Sequence, residues 1–454
     1  MDTSICWQQS RLLWLQDGYA NSKYFHSVMA GRRRGNTISS LVVDGGIVEG
    51  VNPVRATVFN YFAEHFKNIQ GERPSVKGFE FRRIAVMDGA ALVRPFHIDE
   101  VKAVVWDCDS YKSPGPDGIN FGFIMEFWSK MSGDIMRFVG DFHRNGKLTK
   151  GINSTFIALI PKVESPQKLN DFRPISLVGS LYKILAKLLA NKLKGVVGKV
   201  VSETQYAFVS GRQIMDGLLI DNEAVDEERK LKKELLLFKV DFEKAYDSID
   251  WKYLDMVMVK MGFPTLWRKW INEYIGTTSA SVLVNGSLTS EFPMKRGLRQ
   301  GDPLSPFLFL LAAEGLNVLM KAVVDAQLFT GYKFGLQDGV SVSHLHFVDD
   351  TLLVGEKCWA NVRALRAVLV LFESVSGLKV NFHKSMFSCI NICDSWLGAT
   401  TSSLSCKLGR VPFLNLGLPV GGLLEDYRFG TLLLLELRKG CPSGKAGYCH
   451  LVAA

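Results

Sequence analysis

His344-Leu-His-Phe-Val-Asp-Asp-Thr-Leu-Leu-Val-Gly355 sets two adjacent carboxylates, Asp349 and Asp350, between two short runs rich in β-formers. Successive side chains of a strand face opposite sides, so neighbouring aspartates in a straight strand cannot both address one ion. At a turn they can. Asp tolerates turn geometry, and the flanks 345–348 and 351–354 predict a hairpin with the pair at its tip. A solvated Asp-Asp turn is the ordinary alternative, and a third carboxylate weighs against it.

Asp241 follows the apolar run Leu235-Leu-Leu-Phe-Lys-Val240 and precedes Phe-Glu-Lys-Ala-Tyr-Asp-Ser-Ile249, whose pattern shifts toward helix. It therefore lies at the exit of a strand. A carboxylate at the end of a mostly buried strand holds an uncompensated charge in apolar surroundings, and a divalent cation compensates it directly. Aspartate oxygens suit Mg²⁺, which keeps several waters and is held by one or two carboxylates plus substrate phosphates. Asp241, Asp349 and Asp350 are the candidate catalytic and metal-binding residues, with Asp349 placed ahead of Asp350 as direct ligand. Two such ions, roughly 3.5–4 Å apart, activate an attacking hydroxyl and stabilise a leaving pyrophosphate.

Eight blocks in order carry a family resemblance: Lys112-Ser-Pro-Gly-Pro-Asp-Gly118; Phe156-Ile-Ala-Leu-Ile-Pro-Lys162 with Asn170-Asp-Phe-Arg-Pro-Ile-Ser-Leu177; Gln205-Tyr-Ala-Phe-Val-Ser-Gly-Arg-Gln213; and Asp241-Phe-Glu-Lys-Ala-Tyr-Asp247. Then come Gly297-Leu-Arg-Gln-Gly-Asp-Pro-Leu-Ser-Pro306, Phe347-Val-Asp-Asp350, Ser376-Gly-Leu-Lys-Val-Asn381 with Lys384-Ser385, and Leu416-Gly-Leu-Pro-Val-Gly-Gly422. Together they resemble the LINE-type (non-LTR) retrotransposon reverse transcriptases, most of all the plant members. The resemblance implies an α/β right-hand polymerase fold with fingers and palm and an incomplete thumb. It also implies RNA-templated addition of deoxynucleotides to a DNA primer 3′-hydroxyl with two Mg²⁺ ions, or Mn²⁺ in their place. The implied partners are an RNA template, a DNA primer and deoxynucleoside triphosphates.

Each block also has a plainer account. By resemblance Tyr246 packs under the sugar and rejects a 2′-hydroxyl; otherwise it is a core tyrosine. Gly297 and Gly301 allow close backbone approach to a ligand, and Gln300 resembles the residue that contacts the incoming nucleotide. The same segment also serves as a helix-entry loop, with Pro303 and Pro306 opening an apolar helix over 307–319. Lys162 and Arg173 would grip the triphosphate, Arg by its bidentate fork, or are solvated surface charges. Lys384 matches a lysine that protonates the leaving pyrophosphate, or is a surface lysine. Asp247 and Asp250 suit helix-start roles, and Asp302 a supporting one.

With 454 residues, 47% of them hydrophobic, the chain can bury a large core and should exceed one domain. Its net charge of +9 suits a polyanionic partner. The cysteines at 6, 108, 358, 389, 393, 406, 441 and 449 show no C-x₂-C spacing, so they suggest neither a zinc finger nor a disulfide framework and fit reduced thiols in an intracellular protein. No secretory signal is evident, and Glu314, Asn317 and Lys321 interrupt the longest apolar stretch, 306–324. The expectation is a soluble intracellular protein, nuclear by resemblance, without a membrane partner.

Residues 1–105 form an N-terminal connector region, with the arginine run Arg32-Arg-Arg34, a hairpin through Asp44-Gly-Gly46, a helix, and an irregular link broken at Pro74 and Gly78. Residues 106–425 make the reverse transcriptase domain, fingers about 150–235 and palm about 236–390, and residues 426–454 are a truncated or aberrant thumb and C-terminal tail, in which the leucine run 432–435 would start a thumb helix and 440–454 no longer resemble the family. Helical periodicity marks 122–144, 180–200 and 362–373, and Asn285-Gly286 closes a hairpin. The family carries an endonuclease and a longer thumb that these blocks do not include, and Asn415 stands where an aromatic is usual. Two rivals follow: an inactive remnant or domesticated nucleic-acid-binding protein, and an RNA-directed RNA polymerase, which Tyr246 and the 297–306 block disfavour.

Overall fold

The computed structural model describes residues 34–422 apart from 69–70, 72, 75–77 and 335–340, together with 27–28 and 30–31. The expected connector before residue 27 and the tail at 426–454 lie outside the described residues. Two compact units form, each from separate pieces of chain: one holds residues up to Gln70, Ala90–Lys192 and Pro264–Ser305, the other Gly71–Gly89, Leu193–Phe263 and Pro306 onward. Both are mixed α/β.

In the first unit, strand Ser154–Pro161 pairs antiparallel with Phe172–Val178 and parallel with Ser279–Val284. Period-two alternation buries Thr155, Ile157 and Leu159 on one face. The predicted hairpin at Asn285-Gly286 is present, both residues at positive φ. The helical pattern puts Leu181, Ile184, Leu185, Leu188 and Leu189 on the inner face of helix Ser180–Val200; the last four are buried, but Leu181 is only half-buried and its neighbour Tyr182 lies inside instead. Its start is fixed by Asp117, whose carboxylate accepts from the Ser180 amide and, at 2.7 Å, from the Ser180 hydroxyl. Gly115, two residues earlier, lies so close to the Val178 backbone that no Cβ fits. Thus the Lys112–Gly118 block docks the end of a strand. Within 51–105, expected as a helix and an irregular link, helices Val86–Leu92 and Ile98–Trp106 follow the first helix, the latter begun by a capping box between His97 and Glu100. Both are short, and Ile98–Trp106 buries Val101, Val104 and Val105 along one face.

The second unit is built on a five-stranded sheet ordered His344–Phe347, Asp350–Glu356, Leu235–Val240, Met386–Ile390, Lys407–Leu408. Strand Leu235–Val240 is central and antiparallel to both neighbours. Side chains from Leu235 to Phe238 are fully buried, so both faces are covered, as the unbroken apolar run required. One face packs Leu235, Leu237, Leu352 and Val354 against Leu218 and Val225 of helix Ile214–Leu231 and Leu418 and Val420 of a small hairpin. Helix Trp359–Ser376 ends at Gly377, φ 82°. Among the described residues one helix, Ser305–Asp325, is long and apolar enough to cross a membrane by length and composition, and most of its apolar window is buried within the protein.

Candidate active site

The predicted hairpin forms, but its turn lies one residue earlier than expected. Phe347 pairs with Asp350, so Val348 and Asp349 make a two-residue turn and Asp350 begins the return strand. Val348 sits at φ 57°, a left-handed conformation that β-branched residues rarely adopt. Strain of that kind costs about 1–3 kcal/mol and persists only where surroundings enforce it. Enforcement comes from the Gln205 block: Gln205 Oε1 accepts from the Val348 amide at 3.1 Å and the Ala207 amide at 3.0 Å. The Tyr206 amide donates to the His346 carbonyl, and the His346 amide to the Thr204 carbonyl.

Asp241 follows the last residue of the central strand, as expected. Thr351 pairs with Val240, so the next step of the same antiparallel register sets Asp350 beside Asp241. By alternation, Lys239 and Asp241 share the face of Leu235 and Leu237, while Asp350 shares the face of Leu352 and Val354. The apolar face therefore turns ionic at one end. The Asp241 amide accepts restraint from Ser385, donating to its buried hydroxyl at 3.0 Å, and the Asp241 carbonyl accepts from Asn381.

Burial raises the Asp241 carboxyl above its ordinary range; Lys384 opposes this, and the negative charge of Asp350 adds to it. Asp350 is likewise raised by burial and opposed by Lys239, whose ammonium stands 3.9 Å from its Oδ1 and donates to the Leu414 carbonyl at 3.1 Å. Two half-buried oxygen ligands that repel each other fit a hard divalent cation, which would relieve both desolvation and repulsion. Among the described residues no three or more His, Cys, Asp or Glu side chains are grouped as a metal cage. Water and a substrate phosphate would have to complete the coordination, in keeping with how Mg²⁺ is commonly held. Asp349 is half-buried in the turn, and its charge raises the Tyr246 hydroxyl after burial itself. So the electrostatic partner of Asp241 is Asp350, its neighbour across the ladder.

Tyr246 stacks on Phe309 with centroids 4.8 Å apart, and its buried hydroxyl finds no partner among the described residues. Lys384 is exposed on the loop after Asn381, near enough to act on Asp241. Asp250 caps helix Trp251–Lys260 and pairs with Arg73, and Asp247 lies in the first turn of Ala245–Ser248. Five expected residues thus share one unit: Asp241, Asp349, Asp350, Tyr246 and Lys384. Lys162, Arg173, Gln300 and Gly301 belong to the other unit. There Lys162 and Arg173 mark one end of the strand pair, where Ile160 faces Arg173 and the Lys162 ammonium donates to the Asn170 carbonyl. Gly301 takes φ 93°, and a Cβ on it would press Ile175 and the Ser176 carbonyl. Its glycine is thus required by a neighbouring strand of the protein itself.

Two supporting roles escaped the sequence. Lys239 is the single charge in an apolar strand at the same parity as Asp241, a signal that alternation could have supplied. Gln205 opens one of the quoted blocks, but its hold on Val348 carries no local signal, because that partner is 143 positions away. A further cavity of about 20 Å³ is lined by Tyr206, Leu218, Asp221, His346, Asp350 and Asn415 among others. Burial pushes Asp221 up to about 8, with a long 3.5 Å contact from Asn415 opposing it.

Several known proteins resemble the chain. Transposon TX1 uncharacterized 149 kDa protein of Xenopus laevis is 28% identical over 65% of this chain and 22% of its own length. The Pol polyprotein of the type-1 retrotransposable element R2 of Popillia japonica is 25% identical over 60% of this chain and 36% of its own. That of the type-2 element R2DM of Drosophila melanogaster is 25% identical over 60% and 24%. The chain therefore spans between 22% and 36% of the length of these relatives. Among solved structures, apo telomerase from Candida tropicalis aligns over 58% of this chain and 49% of that one, at 14% identity and a TM-score of 0.37. The family model for reverse transcriptase (RNA-dependent DNA polymerase) matches residues 160–420, more than half of the chain. The protein belongs to the reverse transcriptase family, with the polyproteins of non-LTR retrotransposons among its relatives.

Proposed function

We propose that this chain extends a DNA primer on an RNA template, adding deoxynucleotides at a site made by Asp241, Asp349 and Asp350. The observation that carries this is the pair of half-buried, mutually repelling carboxylates, Asp241 and Asp350, at the ionic end of an otherwise apolar sheet face. Reverse transcriptases generally use divalent metal ions. Two Mg²⁺ ions, or Mn²⁺, held by the three aspartates would supply activation of the primer hydroxyl and charge stabilisation of the leaving pyrophosphate. The residues themselves do the positioning. Tyr246, stacked on Phe309, would lie under the sugar and exclude a 2′-hydroxyl, while Lys384 brings positive charge near Asp241. Gln300 and Gly301 would contact the nucleotide, and Lys162 and Arg173 its triphosphate. Lys239 keeps the carboxylates partly neutralised before substrate arrives. Residues 106–425 form the polymerase domain in this scheme, and the nucleus is its proposed place of action.

The test is Mg²⁺-dependent extension of a DNA primer on an RNA template, beside Asp349→Ala with Asp350→Ala and Asp241→Asn. Each variant should lose roughly 10²-fold or more in rate, the scale of a lost charge-stabilising group. Activity surviving the double change would overturn the assignment. Retained template binding without any extension by the unaltered chain would favour a nucleic-acid-binding role.

A further inference from the structure

Within the first unit lies a fully buried ionic cluster that no catalytic step uses. Arg299 is 5% exposed and Asp302 2%, and their side chains pair at 3.5 Å. The Arg299 guanidinium lies over the Tyr182 ring at 4.1 Å and donates to that residue's hydroxyl, to the Tyr274 carbonyl at 3.3 Å and to Asn153 Oδ1 at 2.7 Å. Asp302 accepts from the Tyr182 hydroxyl at 2.9 Å, from the Tyr274 hydroxyl at 2.5 and 2.6 Å, and from the Leu304 amide. Asn153 closes the ring by donating to the Tyr274 carbonyl and the Thr277 hydroxyl, both at 2.8 Å. Every one of these groups belongs to the same unit.

A buried ion pair is a poor device for stability, because desolvation of both charges offsets their attraction, and well-packed apolar residues often do as well. It does hold backbone in one place. Arg299 and Asp302 flank the dipeptide Gln300-Gly301, whose Gln300 carbonyl accepts from the Ser176 amide at 2.8 Å. Gly301 lies close against Ile175 and Ser176, so the backbone of the dipeptide is held on both sides, and the Gln300 side chain is half-buried.

We infer that Arg299 and Asp302 are positioning residues, anchoring the Gln300-Gly301 backbone so that the Gln300 side chain meets the incoming nucleotide. The inference rests on the proposed role of Gln300. Two variants test it: Arg299→Lys, which keeps charge but loses the planar fork and the stack, and Arg299→Met with Asp302→Asn, which removes both charges while leaving an acceptor for the tyrosines. Amide hydrogen exchange is the readout independent of activity. Exchange at Ser176, whose amide bonds the Gln300 carbonyl, should quicken about tenfold or more, while Ile157 and Val282 in the same sheet stay within about twofold, as expected for a local opening. In steady-state extension, KM for the deoxynucleotide should rise about tenfold with kcat within about threefold, since small misplacement of a positioning group is costly. Uniform quickening across the sheet, or unchanged exchange at Ser176, would overturn the inference. If exchange responds locally while the unaltered chain extends no primer, the anchoring stands and the nucleotide role of Gln300 fails.

Discussion

Replacing Asp221 by asparagine should make the stability of this protein less sensitive to pH, by an amount the burial of that side chain sets. Asp221 faces inward from helix Ile214–Leu231, is 3% exposed, has one oxygen without a partner among the described residues, and meets the other weakly through Asn415. Burial therefore holds it as a neutral acid, with the carboxyl pushed from 3.8 up to about 8. In the unfolded chain it ionises near its ordinary value. Since the folded state keeps a proton that the unfolded state loses, the contribution is fully present below about pH 4 and is lost as pH rises toward about 8. At about 1.4 kcal/mol per pH unit, the acid forfeits about 3 kcal/mol of stability between pH 5 and pH 7. Asparagine is nearly isosteric and cannot ionise. Its amide brings an unknown but pH-independent offset, so the difference between the two proteins is the quantity to follow. Denaturant midpoints for Asp221→Asn and the unaltered chain, measured from pH 5 to pH 7, should diverge by an amount equivalent to about 3 kcal/mol in the variant's favour. A constant difference over that interval would show that Asp221 is ionised in the fold and that the burial account is wrong.

Other expectations follow from the same geometry. Lys239→Met removes the cation that opposes the raised Asp350 carboxyl; Mn²⁺ titration at pH 8 should show affinity increased about threefold to tenfold, a gain of the size of one nearby charge at the protein surface. Gly315→Ala would drive a Cβ into the Tyr253 hydroxyl and break its 2.8 Å hydrogen bond to the Ala312 carbonyl, costing about 2–3 kcal/mol in a denaturant melt. Tyr246→Val should raise ribonucleotide incorporation relative to deoxynucleotide about tenfold or more, because a smaller side chain leaves room for a hydroxyl; competition between the two nucleotides in primer extension measures it.

The amino-acid sequence by itself determined the local pieces. Alternation and apolar runs located the central strand and the Asp-Asp hairpin, the Asn285-Gly286 turn, and the long helices, since each depends on neighbours within a few residues. The same local information placed the hairpin tip one residue late, because Val348 carries no sequence mark of the positive φ that Gln205 enforces from 143 positions away. Only the tertiary structure decided which carboxylate faces Asp241. Strand register makes it Asp350, opposite in the ladder, and directs the charge of Asp349 to Tyr246. Pairing over a hundred residues of separation also brought Lys239 to Asp350 and Tyr182 to Arg299 and Asp302. A side chain's chemical type can be read where it stands in the chain, but its charge state and its partner are set by what the fold brings against it.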